Sequence, residues 1–168
     1  GVKGIVISGR NADRGAKVKA ALEAKGAKVV FVQGDLGKVE DVRKIVKACG
    51  DSFGKVDALV NVAAISDRGT IWDTSPELFD QMFDVNVRAP FFLMQDALHL
   101  MRESKTRGTI VNILSMSGHG GQSFITAYCA SKSAAGFSSS RNCPIKAGGC
   151  ATVGVNTTSS ESVADMAT

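Results

Sequence analysis

No apolar run in this sequence is longer than a strand. The longest fall far short of the about 20 residues that a membrane helix needs, so a spanning helix is excluded and no membrane partner is expected. No secretory leader pattern is present, and a cytoplasmic protein is expected. The four cysteines, Cys49, Cys129, Cys143 and Cys150, have no CxxC spacing and no histidine pair nearby. A zinc site is therefore not expected, no metal is assigned, and reduced thiols are the default. Charge of one sign is nowhere concentrated. The 20 lysines and arginines are interspersed with 16 acidic residues, for a net charge of +4, so a nucleic-acid patch and a nucleic-acid partner are not favoured. No internal repeat is present. What remains is a single domain of 168 residues, 44% hydrophobic and 21% charged, with the composition of a soluble globular chain and enough length for one core. It begins with Gly1 rather than methionine, so residue 1 need not be a natural start.

Strand-like runs alternate with helical patterns. Residues 4–8, 28–32, 56–62, 109–115 and 151–156 read as strands. "KVVFV", "DALVNVA" and "TIVNIL" are apolar almost throughout, which suits parallel strands covered by helices on both faces. Helices are expected at 13–25, burying Val18, Ala21 and Leu22, and at 38–49, where Val39, Val42, Ile45, Val46 and Cys49 recur at 3.6-residue spacing. Residues 76–103 read as one long helix kinked at Pro90, and another helix starts near Phe124. The alternation predicts an α/β doubly wound parallel sheet.

The opening "GIVISGRNADRG" looks like the strand, turn and helix of a dinucleotide-binding fold. A phosphate loop of that kind needs three close glycines, for the turn, for close approach of the pyrophosphate and for helix–strand packing. Only Gly9 and Gly15 are present, with Arg10, Asn11, Asp13 and Arg14 between them. The stretch fits better as the end of a second strand, beside the adenosine ribose, where a basic residue accommodates a 2′-phosphate. The competing reading of Arg10 is a solvated turn arginine.

The stretch "SMSGHGGQSFITAYCASK" carries the strongest chemical signal. Tyr128 and Lys132 are four residues apart and share a helix face. A tyrosine with its ordinary pKa of about 10 is a poor base, and a nearby ammonium favours the phenolate. Such a tyrosine can exchange a proton with an alcohol or carbonyl oxygen while hydride moves. Ser115, at the preceding strand end, is placed to hold the same oxygen.

With these motifs the chain resembles the short-chain dehydrogenase/reductase family, over nearly its whole length. "GRN", "GDLGKVEDV", "LVNVAAI", "FDVNVRAPFFL", "GTIVNILSMSG", "YCASK" and "VGVNTTSSESVADMAT" are similar, in order, to stretches of that family. The resemblance implies an NADP(H)-dependent oxidoreductase, with NAD possible, acting on a small-molecule alcohol or carbonyl. It implies Tyr128 as acid/base, Ser115 orienting the substrate oxygen, and Lys132 tuning the tyrosine and binding the nicotinamide ribose. Asn86 would hold a water that relays protons to Lys132. Arg10 and Asn11 would meet the NADP phosphate, Asp35 and Leu36 the adenine, and Asn61 and Ala63 the ribose side. It also implies a homo-oligomer, dimer or tetramer, through the apolar 76–103 stretch. The alternative is a non-catalytic or truncated member serving as a binding or dimerising module.

The sequence departs from the family in places. Val62 and Ala64 replace an asparagine and a glycine, and Ser160 and Glu161 stand where Pro-Gly is usual. Pro144, with Gly148 and Gly149, makes a poor helix after Lys132. The family's first strand and glycine-rich loop, a piece of about 30 residues, and its last helix and strand are not within these 168 residues. The sheet is therefore expected to be incomplete at both ends, with at least five strands, and these residues alone to bind dinucleotide weakly or not at all. Three residues read as bystanders: His119 as a polar loop residue rather than one that faces the substrate, His99 on a surface or interface, and Cys129 turned about 100° from Tyr128 on the helix. Trp72 either lines the pocket or packs its loop.

Overall fold

A computed structural model describes residues 2–66, 68–139 and 151–154. Strand β1 (Gly4–Gly9) leads to α1 (Ala12–Glu23), which Asn11 caps by accepting the Arg14 amide at 2.8 Å. Strand β2 (Lys28–Gln33) is followed by α2 (Val39–Phe53). Helix α2 stops at Gly54, whose φ of +72° is the left-handed conformation open to glycine. Strand β3 (Ala58–Asn61) precedes α3 (Pro76–Phe83), with Ser75 as N-cap and Pro76 in its first turn. A π-helical turn (Asp84–Arg88) joins α3 to α4 (Ala89–Glu103). Then come β4 (Thr109–Leu114), a short α5 (Ser117–Gly120), α6 (Thr126–Ser139) and β5 (Ala151–Gly154).

All strand pairs are parallel, as the unbroken apolar runs require. The five strands, however, lie in two sheets: β1 pairs with β2, and β3–β4–β5 form the other. Ile5 stands opposite Val29 in the first, and Leu59 opposite Ile110 in the second. Helix α2 packs on β1 and β2 and also on α4, which in turn packs on β3. The core runs through that contact, with Val42 and Val46 of α2 against Leu93, Met94, Ala97 and Met101 of α4 and Ile110 of β4.

Several boundaries move. Helix α2 runs on to Phe53, and β3 is shorter than the 56–62 run. The 76–103 stretch is two helices about a π turn, and the break comes before Pro90 rather than at it. Helix α1 does not bury Val18 or Ala21. Val18 is 47% exposed, and the buried residue is Gly15, where the helix meets the Phe31 ring. The two-stranded sheet beneath α1 covers only that narrow line. Pro144, Gly148, Gly149, Ser160, Glu161, Cys143 and Cys150 lie outside the described residues. Among the described residues no helix is long and apolar enough to cross a membrane, and no metal-holding cluster occurs.

Candidate active site

The predicted residues follow the carboxyl ends of the parallel strands: Arg10 after β1, Asp35 after β2, Ala63 after β3 and Ser115 after β4. This is the edge where open parallel sheets bind ligands.

Tyr128 and Lys132 sit one turn apart on α6, with the lysine Nζ 5.8 Å from the centre of the tyrosine ring. The Tyr128 hydroxyl has no hydrogen-bond partner among the described residues, which leaves it for a ligand. Lys132 is buried, and its Nζ donates to the Ile113 carbonyl at 3.0 Å. Burial pushes the Lys132 ammonium below the ordinary lysine range. A lysine that is harder to protonate folded than unfolded binds fewer protons in the folded state. Stability therefore rises with pH from the folded value up to the unfolded one, about 10.4. Lys132→Met is expected to abolish that rise. The difference in melting temperature between the two proteins should shift in favour of the wild type as pH climbs from 7 to 10, and a constant difference would contradict the burial cost.

Ser115 Oγ lies 2.8 Å from Ser117 Oγ and accepts the Ser117 amide at 3.3 Å. This serine pair opens α5, which packs on α6 through Gly118. A Cβ there would lie 3.0 Å from both the Lys132 carbonyl carbon and the Ser133 nitrogen. Ser133 Oγ donates to the Gly118 carbonyl across the same contact. Backbone, which cannot move aside as a side chain can, sets this approach. The small residue at 118 thus fixes the distance between the strand that ends at Ser115 and the helix that carries Tyr128.

Asn86 occupies the middle of the π turn, buried at 2% exposure. Its Oδ1 accepts the Ile65 amide at 2.9 Å, and its Nδ2 donates to the Ile65 carbonyl at 2.8 Å and to Ser131 Oγ at 3.0 Å. Ser131, fully buried, donates in turn to the Tyr128 carbonyl at 2.8 Å. Both amide hydrogens are engaged, so the side chain has none left for a relay water. It acts as a clamp between the segment after β3 and α6.

On the coenzyme side Arg10 is exposed and its guanidinium pairs with no carboxylate among the described residues. Its carbonyl accepts from Gln33 Nε2 at 3.1 Å, tying β1 to β2. Asp35 accepts the Gly37 amide at 3.0 Å and gives its own amide to Asp41. That amide, with the Lys44 ammonium, holds the Asp41 carboxyl below its usual range. Arg88, in the π turn, donates to the Gly37 carbonyl at 2.9 Å and pairs with Asp84 at 3.0 Å. Leu36 packs against the core, Asn11 uses its Oδ1 as the cap, and Asn61 Nδ2 is tied to Asn112 Oδ1 at 2.7 Å. Ala63 is exposed after β3.

Ser131, Ser117, Asn112 and Arg88 are absent from the residues picked out by sequence. Ser131 had a signal: three residues beyond Tyr128, it shares that side of the helix. Trp72 neither packs its loop nor lines a closed pocket, being 94% exposed. A shallow depression does form there, between Arg68, Gly69, Thr70 and Asp73 and the side chain of Phe124. The Thr126 amide donates to the Gly69 carbonyl at 3.0 Å, holding this loop beside the start of α6. His119 and His99 are exposed, and Cys129 is a buried free thiol.

The family model for "short chain dehydrogenase" matches residues 1–166. The chain is 34% identical over 119 residues to galactitol 2-dehydrogenase of Agrobacterium fabrum, covering 71% of this chain and 46% of that protein. It is 34% identical over 131 residues to 3beta-hydroxysteroid dehydrogenase of Mediterraneibacter gnavus, covering 77% and 47%. Among solved structures, L-sorbose reductase of Gluconobacter frateurii, complexed with NADPH and L-sorbose, superposes with a TM-score of 0.77 at 27% identity, covering 81% of this chain and 52% of that one. A metagenomic short-chain oxidoreductase in complex with NADP gives 0.73 at 26%, covering 79% and 60%. The chain spans about half the length of these curated relatives.

Proposed function

Because the chain belongs to the short-chain dehydrogenase family, we propose that the protein of which these residues are part interconverts an alcohol and a carbonyl with NADP(H). The observation that carries this reading is Tyr128, its hydroxyl without a partner among the described residues, one helical turn from a buried lysine at 5.8 Å from its ring. Tyr128 gives a proton to the substrate oxygen in reduction and takes it back in oxidation. Lys132, held by the Ile113 carbonyl, stabilises negative charge on the phenolic oxygen. Ser115, kept in place by Ser117, donates to the substrate oxygen. Asn86 contributes through its backbone carbonyl, which holds the relay water that its side chain cannot donate to.

NADP(H), when bound, accepts or supplies the hydride. The chain's donors fit it: an exposed guanidinium at Arg10, unpaired among the described residues, suits a 2′-phosphate. The Asp35–Leu36 turn, Asn61 and Ala63 lie along the same edge, with Lys132 for the nicotinamide ribose. Solved relatives holding NADP or NADPH support this choice over NAD. The full-length protein, assayed with NADPH against a panel of small ketones, aldehydes and keto sugars, tests the reading, and absence of turnover on all of them would refute it. Arg10→Ala is expected to weaken NADPH binding by about tenfold or more while leaving NADH binding unchanged, the loss of a charge-assisted contact of roughly 1.5–3 kcal/mol. Equal effects on the two coenzymes, read by fluorescence titration, would remove Arg10 from the phosphate site.

The division of the strands into two sheets favours a second reading for residues 1–168 taken alone, a module that folds without positioning a coenzyme. Tight NADPH binding by that segment in calorimetry would exclude it. Self-association through α3 and α4, where Phe79 and Phe91 are 42% and 48% exposed, is part of the proposal, with a dimer or tetramer expected in sedimentation.

A further inference from the structure

In an uninterrupted α-helix the carbonyl of residue 86 would accept from the amide of residue 90. Residue 90 is proline, which has no N–H and whose ring presses on the carbonyl four residues back. The backbone answers with one π-helical turn over Asp84–Arg88, in which the Ala89 amide reaches back five residues to the Asp84 carbonyl. Regular helix then resumes, with Pro90 in the first turn of α4, where a missing N–H is tolerated. Asn86 lies inside that turn. Its side chain is engaged with Ile65 and Ser131, so the backbone carbonyl is the group it has left for the site. Helix α6, bearing Tyr128 and Lys132, packs directly on the π turn. Lys132 Nζ uses one hydrogen on the Ile113 carbonyl and, as an ammonium, keeps two more.

We propose that Pro90 is a positioning residue. By denying the Asn86 carbonyl its helical donor and holding the π turn, it keeps that carbonyl open to a hydrogen bond from the Lys132 side of the site. This rests on the acid/base reading given above. A proline with no such role would be a tolerated helix-start residue, and replacing it would leave turnover alone.

The test uses the full-length protein with Pro90→Ala and Pro90→Gly, both of which restore an N–H at position 90. The first readout needs no activity: amide hydrogen exchange measured at residue 90. The restored amide should be protected, having found the Asn86 carbonyl, and an amide exchanging as fast as an exposed one would overturn the proposal. The second is kinetic. In both variants kcat should fall about tenfold or more, the scale of an impaired proton-transfer step, while KM for NADPH and for the carbonyl substrate stays within about twofold and the melting temperature of Pro90→Ala does not drop. Unchanged kcat, a fall confined to one variant, or a fall that merely tracks lost thermal stability would overturn it. Wild-type kcat in Pro90→Ala beside an inactive Tyr128→Phe refutes this inference alone. An active wild type whose turnover survives Tyr128→Phe refutes the acid/base reading, while the exchange measurement still reports on the turn.

Discussion

Tyr128→Phe in the full-length protein is expected to lower kcat by about 10²- to 10⁴-fold, the range contributed by a positioned general acid or base. The substitution removes one oxygen and keeps the ring. Lys132 should stay in place, because its hydrogen bond goes to the Ile113 carbonyl and not to the phenol. Ser131 binds the backbone carbonyl of residue 128, so the clamp to Asn86 should also survive. Coenzyme affinity and melting temperature should therefore change little while turnover collapses. Steady-state kinetics with coenzyme titration and a melting curve separate these quantities. Retained turnover would take the proton-exchange role from Tyr128, and a large fall in melting temperature would recast it as a packing residue.

Asn86→Ala carries the largest expected loss of stability. The side chain satisfies both the N–H and the C=O of Ile65 and the hydroxyl of Ser131. Truncation leaves two backbone groups in a partly buried place without partners, each worth roughly 1–3 kcal/mol, and opens a small cavity. A loss of about 2–5 kcal/mol is expected, which in a domain of this size lowers the melting temperature by about 5–15 °C. Asn86→Asp should fare little better, since a carboxylate facing the Ile65 carbonyl offers no hydrogen to it. Ser131→Ala alone should cost less, about 1 kcal/mol, because Asn86 keeps Ile65. Denaturant unfolding of the two single variants and the double variant measures the coupling, and strict additivity would mean that the Asn86–Ser131 bond contributes nothing.

The parallel α/β character was legible because a strand buried on both faces needs no alternation, and "TIVNIL" and "KVVFV" show none. That Tyr128 and Lys132 share one helix face, with Ser115 at the strand end before it, was legible because their spacing is local. Asn86 entered by resemblance, but its environment could not. Its partners Ile65 and Ser131 lie 21 and 45 residues away in sequence, and no periodicity links them. The 76–103 stretch shows the limit within one element. Pro90 was correctly seen as a disturbance, yet a local pattern does not reveal that the backbone absorbs it as a π turn ahead of the proline. Val18 and Trp72 erred for a shared reason: an apolar residue at helix spacing or in a loop was assumed to find a cover, and cover depends on elements elsewhere in the fold.

The open edges of the two sheets have a consequence for handling the molecule. Among the described residues strand β1 pairs only with β2, and β3 only with β4. Neither "GIVISG" nor "ALVN" contains a charge or a proline, the devices by which natural edge strands discourage pairing with other chains. Val60 within β3 and Val62 just after it are 53% and 44% exposed. In a preparation of these 168 residues at high concentration, main-chain hydrogen bonding between molecules would compete with folding, and precipitation would begin at β1 and β3, the strands that lead to Arg10 and Ala63. A lysine placed on the outward side of β3 would be the remedy to try first, ahead of any change to the charge of the surface at large.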